Sequence, residues 1–352
     1  MSESNAEPSP FELEYASLAL KRENTHIWGT SPVIGPDGRI HLYVAQWERP
    51  GDGGFGGNTA DGRETSWHQT SEIAHYVGDS PEGPFEFVRM AVPHQGGTFC
   101  SPHNPTISFV DGTYVLLFIV NEGSLETQRI LMYVSDGLED DWRPAEGAEA
   151  DGTILRKSTD PGIWDHEAML GNSNPSLIKH HGTYMIYFKG IIPVPEAYRK
   201  HPKHSRTWTY GVALSDTLEG PYTKHPERVT KTYDPIEDAC VFSYDDRIWM
   251  FTRDMREVRG GGGLLWVSDD GMEFDFDDAV LGFHHLDHYI GKEETAKMTL
   301  YRLSEDGHLE RPQILFRDEK PAFLYMASGL GYPAPYGSAS HVFRIRRQEQ
   351  AR

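Results

Sequence analysis

The dipeptide Glu237-Asp238 stands directly before the apolar run ACVF. Two carboxyls at the mouth of a buried strand suit proton transfer, because burial and an adjacent like charge both raise a carboxyl pKa. Glu237 is therefore expected to be a general acid, with Asp238 beside it; the alternative is that either residue only caps the strand by bonding backbone N–H groups. A second catalytic group must activate water or attack carbon. The stretch WDHEAMLGNSNP offers Asp165 and Glu167 on a loop close to Asn174. His103, directly before Asn104, offers an imidazole that titrates near neutrality. Solvated loop acids and a hydrogen-bonded rim histidine are the competing readings.

Other residues suit binding. Glu310 and Arg311 either form a structural salt bridge or aim a rigid guanidinium fork at the hydroxyls or carboxylate of a substrate. Lys189 and Arg253, ending YFKG and FTRD, occupy equivalent places in their segments and would suit an acidic glycan. Trp28 and Trp47 could stack on a pyranose, although core packing is the commoner fate of such a residue. His284, His285 and His288, with Asp287, form a nitrogen and oxygen set that a divalent metal could use, at spacings matching no strict signature. No other cofactor is expected. The glycine runs GDGGFGG and GGGG lack the Lys-[Ser/Thr] of a phosphate loop and read as mobile loop segments.

The elements that carry these residues repeat. Five segments, TSPVIGPDGRIHLYVAQW, HNPTISFVDGTYVLLFIV, SNPSLIKHHGTYMIYFKG, EDACVFSYDDRIWMFTRD and ERPQILFRDEKPAFLYMAS, share a polar opening, an apolar strand, a short polar turn and an aromatic-rich strand. Aligned on Pro32, Pro105, Pro175, Ala239 and Pro312 they recur every 64 to 73 residues, enough for one four-stranded sheet each. A third strand ending in an Asp-containing turn follows in at least four of them, and no helical pattern long enough for a crossover intervenes. The expected fold is all-β, a five-bladed β-propeller of four-stranded antiparallel blades. It forms one domain over residues 1–352, with repeats opening near 30, 103, 173, 237 and 310. The tail SASHVFRIRR and the early EYASLALKR are expected to complete one blade between them.

Composition agrees. The 35 Gly and 23 Pro supply many turns, and the two cysteines, Cys100 and Cys240, read as small buried hydrophobes. A net charge of −20 disfavours nucleic acid and anionic membrane as partners. The start MSESNAEPSPFELEY has acids where a secretory leader needs a basic and then an apolar region. Cytoplasmic residence is thus expected, or periplasmic or secreted if a leader has been trimmed.

N-P or E-D before an innermost strand, combined with SDTLEGPY at 215–222 and GDSPEGPF at 78–85, resembles the five-bladed glycoside hydrolases of family 43 and its relatives, including family 117. The opening ERP at 310–312 is similar to the corresponding motif of family 117. For family 43 the resemblance implies inverting hydrolysis by an Asp base in the first blade, an orienting Asp in the third and a Glu acid in the fourth. Here the first position holds Thr30-Ser31-Pro32 and the third Asn174, so only Glu237 and Asp238 carry over. The expected function is an exo-acting glycoside hydrolase on an oligosaccharide, with a noncatalytic carbohydrate-binding propeller or a polysaccharide lyase as alternatives.

Overall fold

The computed structural model describes residues 9–48, 66–97, 99–201, 203–298, 306–329 and 337–347. The GDGGFGG run lies outside them. Five antiparallel sheets stand around a central channel. Their innermost strands are Thr25–Ile34, Cys100–Val110, Ser173–His180, Ile236–Tyr244 and Glu310–Arg317. The second blade adds a short strand, Arg143–Pro144, beside its third. In the fifth blade the outermost strand is Phe11–Leu20, paired with Ala339–Arg347 from Phe11↔Arg347 to Leu20↔Ser340, so both ends of the chain close the ring as expected.

Local sequence explains the hairpins. In four blades the first and second strands join through two residues that both have positive φ: Asp111-Gly112, His181-Gly182, Asp245-Asp246 and Asp318-Glu319. That is the turn whose twist matches paired strands, and Asp and Gly tolerate it best. Blades bury both faces, so their central strands read as continuous apolar runs such as TYVLLFIV. Among the described residues an apolar cluster fills each junction between neighbouring blades, and a smaller one of Trp28, Ala45, Trp47 and Ala327 joins the first blade to the fifth.

Each innermost strand also breaks register near its start, and a residue at or beside the break has positive φ: Gly29 (57°), Asn104 (50°), Asn174 (49°), Asp238 (58°) and Arg311 (54°). This fivefold bulge corrects the alignment on Pro32. The residue following the bulge is Pro in three blades and Ala239 in the fourth, but in the first it is Thr30, with Pro32 two positions further on. Below the bulge the strands are laced together by small hydroxyls: Ser31 Oγ accepts from Ile107 N–H (3.0 Å), Thr106 donates to Pro175 O (2.8 Å) and Ser176 Oγ accepts from Val241 N–H (3.0 Å). Cys100 and Cys240 are buried free thiols. Among the described residues no helix is long and apolar enough to cross a membrane. Gly263, in the GGGG run, is no mobile segment: a Cβ there would meet the Phe283 ring at 2.1 Å.

Candidate functional site

Two rings of side chains crown the channel. The residues just before the bulge are Trp28, His103, Ser173, Glu237 and Glu310; the bulge residues are Gly29, Asn104, Asn174, Asp238 and Arg311. A bulge at this place re-aims side chains that regular pleating would bury between blades. Above them opens a cavity of about 570 Å³ whose lining includes Trp28, His103, Asn104, Asn174, Lys189, Glu237, Asp238, Arg253 and Glu310. Nine of the residues singled out in the sequence thus meet in one place.

Strand register supplies the counter-charges. Lys189 lies opposite Ser173 and Arg253 opposite Glu237, where the other blades carry Ala45, Ile119 and Ala327. Lys189 Nζ is 2.5 Å from Glu237 Oε1, and Arg253 Nη1 is 2.8 Å from Glu310 Oε2 and 3.7 Å from Glu237 Oε2. In the lower ring Asn104 Nδ2 donates to Asn174 Oδ1 (2.7 Å) and Asn174 Nδ2 to Asp238 Oδ1 (2.6 Å). The Arg311 backbone N–H donates to Asp238 Oδ2 (3.2 Å).

These contacts separate the carboxyls. Burial pushes Glu237 upward, but the Lys189 ammonium and the Arg253 guanidinium outweigh it and hold the group below its ordinary value. Glu237 is therefore ionised, which corrects the expectation of a raised pKa. Glu310 is the reverse case. Burial dominates, and the nearby Asp238 and Glu237 charges add to it; Arg253 offsets only part, leaving the group at about 8. Asp238 is also raised, by burial and then by Glu237, although both its oxygens accept hydrogen bonds. Burial, followed by Arg311 and Lys189, holds His103 far below its usual value, so its imidazole is neutral. Its Nδ1 is 2.8 Å from Ser71 Oγ and its ring stacks on Trp67 at 4.6 Å.

Arg311 lies under the cavity, 1% exposed, and its three guanidinium nitrogens have no hydrogen-bond partner among the described residues. Its Nη1 is 4.0 Å from Asp238 Oδ1, and the first blade brings no side chain toward it at the bulge: a Cβ on Gly29 would be tight against Asn104 Oδ1 at 3.3 Å and in ordinary contact with Arg311 Nε at 3.5 Å.

The third-blade loop does not restore the missing carboxylate. Asp165 is buried in an ion pair with Lys224 and accepts from Asn172 Nδ2 (2.8 Å), and Glu167 is exposed; neither lines the cavity. The loop instead anchors Trp164, which stacks on Phe188 at 5.6 Å in space left by Gly190 and Gly211. Trp47 packs on His26 at 4.8 Å and is core, as its alternative reading had it. The cavity's other aromatic walls, Trp67 and Trp208, escaped sequence reading. Trp67 sits in a short helix outside the repeat, and Trp208 lies near the start of the third strand, Arg206–Ser215, ahead of the repeated stretch YGVALSDTLEGPY.

The histidine loop divides. His284 and His288 stack on each other at 3.7 Å, whereas His285 Nε2 is 3.1 Å from Glu257 Oε1 and its ring is 4.6 Å from His308. Ligand atoms of Glu257, His285 and His308 all lie within 4.8 Å of one another, so a metal would use this set and not His284 with His288. Glu237, Asp238 and Glu310 are equally close, but Glu237 is paired with Lys189, Glu310 with Arg253, and Asp238 accepts from Asn174 and the Arg311 N–H.

No protein-family profile matches the chain, and no curated protein sequence is significantly similar to it. Solved structures do align over its whole length. Zg3597, a family 117 glycoside hydrolase of the marine bacterium Zobellia galactanivorans, superposes with a TM-score of 0.65 at 14% identity, over 97% of this chain and 96% of its own. CoXyl43, a family 43 β-xylosidase/α-arabinofuranosidase from a compost microbial metagenome, solved with xylotriose in a calcium-free form, gives 0.57 at 12% identity, over 97% and 96%. A family 43 enzyme from Xanthomonas citri gives 0.54 at 11% identity, over 94% and 89%. At these identities the likeness establishes the five-bladed fold.

Proposed function

We propose that this chain is a glycoside hydrolase that removes a terminal sugar from an oligosaccharide bound in the channel mouth. The observation that carries the reading is the pair Glu237 and Glu310. They are two carboxyls in one cavity, Glu237 partly buried and held ionised, Glu310 buried and held protonated to about 8. Environments that drive two carboxyls apart assign an acid and an electrostatic partner. The fold, shared with glycoside hydrolases of families 117 and 43, supports the same chemistry.

In this mechanism Glu310 gives its proton to the leaving glycosidic oxygen as the bond to the anomeric carbon breaks. Arg253, 2.8 Å away, stabilises the carboxylate so formed. Glu237, kept anionic by Lys189, stabilises the positive charge that develops on the sugar ring. In a ring of five, the second blade faces the junction of the fourth and fifth, so His103 stands across the cavity. Its imidazole, held neutral and hydrogen-bonded to Ser71 through Nδ1, is too weak a base to keep a proton there; it orients the attacking water, which sheds its proton to bulk water as it bonds to the anomeric carbon. Trp28, Trp67 and Trp208 supply apolar faces for pyranose rings.

Incubation with a panel of oligosaccharides, with products followed by mass and chromatography, tests the reading. Release of one sugar at a time, abolished in Glu310→Gln, is the expected result. Unsaturated products absorbing in the ultraviolet would replace hydrolysis by elimination, and binding without turnover would leave a carbohydrate-binding propeller.

A further inference from the structure

The chain is acidic overall, with a net charge of −20, yet one segment at the cavity mouth is strongly basic. Between the third-blade strands Thr183–Pro193 and Arg206–Ser215 the chain runs through Tyr198-Arg199-Lys200-His201, then Lys203-His204-Ser205-Arg206. Arg206 and Trp208, which begin the returning strand, both line the cavity, and the Arg206 guanidinium lies 5.3 Å from the centre of the Trp208 ring. Lys200 and Arg256 share one carboxylate, Asp234, at 2.7 and 3.2 Å, so that group carries net positive charge. Lys203 and Arg206 are exposed. Beside them Tyr198 stacks on Tyr233 at 4.8 Å while remaining 60% exposed.

We infer that this loop and Arg206 bind the anionic continuation of the glycan, so that the substrate is an oligosaccharide bearing carboxylate or sulfate groups. The inference rests on the hydrolase reading and names its substrate class. A neutral glycan needs aromatic faces but no cluster of cations. A polyanion approaching this molecule is repelled by its total charge, but at physiological salt that repulsion is screened beyond about 8 Å, so the local cluster decides. Cations alternating with exposed rings suit charged sugars, whose apolar faces stack while their acidic groups meet guanidinium and ammonium.

The test uses the full chain carrying Glu310→Gln and calorimetric binding of three probes: oligogalacturonate for carboxylate, a sulfated carrageenan oligosaccharide for sulfate, and neutral xylotriose. One anionic probe should bind in preference to xylotriose and weaken as salt rises from about 0.05 to 0.5 M; which one binds identifies the acidic group. Lys203→Gln with Arg206→Gln should cost about tenfold, roughly threefold per charge, with an unchanged unfolding temperature. Equal or tighter binding of xylotriose, or no loss in the double variant, overturns the inference. Cleavage of neutral oligosaccharides alone by the wild type overturns it while the hydrolase reading stands. Salt-sensitive binding of an anionic probe, with no cleavage of that probe or of any neutral oligosaccharide by the wild type, supports the basic surface and removes the hydrolase reading instead.

Discussion

Arg253 Nη1 lies 2.8 Å from Glu310 Oε2, so one fourth-blade guanidinium serves a fifth-blade carboxyl while staying within 3.7 Å of Glu237. That bridge joins the acid to the anion. It also means that the two carboxyls respond differently to the same substitution.

Glu310→Gln removes the transferable proton but keeps size and hydrogen bonding, and turnover of a natural glycan should fall by about 10²-fold or more. The loss should shrink with a substrate whose leaving group departs as a stable anion. An undiminished rate on the natural glycan would show that the proton comes from elsewhere, with Asp238 next in line.

Glu237→Gln strands Lys189 in a largely buried site, so it should cost stability as well as rate, about 3 kcal/mol on the scale of broken buried pairs. Urea unfolding compared with Glu310→Gln measures the difference. Equal stability of the two variants would show that Lys189 finds another partner.

Because Glu310 titrates at about 8 in the folded chain, activity should fall on the alkaline side as its proton leaves. Linkage has a definite sign. An acid whose folded pKa is raised contributes its stability below the unfolded value, near 4.5, and loses it as pH rises toward 8. Over that window the wild type should lose stability relative to Glu310→Gln, which has nothing to titrate. Parallel melting curves from pH 5 to 8 would refute the assignment.

Most of the fold was legible because its signal repeats: each innermost strand must fill the same slot, and period and turn chemistry mark it five times. The site was less legible where it depends on register. Pro32 resembles Pro105 and Pro175 but lies beyond the bulge, which hid Gly29 as the first-blade counterpart of Asn104 and Asp238. Glu237 was found on its own strand. The cations that set its charge arrive from second strands across the sheet and between blades, contacts that no local pattern encodes. Asp165 misled for the same reason, since its partner Lys224 is the last strand residue of its own blade.

Gly29→Ala should destabilise by about 1–2 kcal/mol, since φ is 57° and the added Cβ would approach Asn104 Oδ1 to 3.3 Å. Denaturant unfolding gives the value, and a neutral substitution would show that the bulge relaxes freely.

If Glu257, His285 and His308 hold a divalent ion beside the Arg253 guanidinium, metal analysis after purification without chelator should find it lost in His285→Ala and in His308→Ala but retained in His284→Ala, because His284 faces His288 instead of Glu257. A metal-free wild type would leave the set a hydrogen-bonded cluster.

The strand Phe11–Leu20 seals the blade that carries Glu310, pairing with residues near the other end of the chain. During synthesis Ala339–Arg347 is made long after Phe11–Leu20, so the blade that carries Glu310 stays unsealed until its own second and third strands have been made. Such end-to-end pairing has a very high contact order and makes ring closure a late folding event. The channel mouth is thereby left incomplete in any chain that lacks Ala339–Arg347, and a protease that removed Phe11–Leu20 would unseal the blade that holds Glu310, far away in sequence.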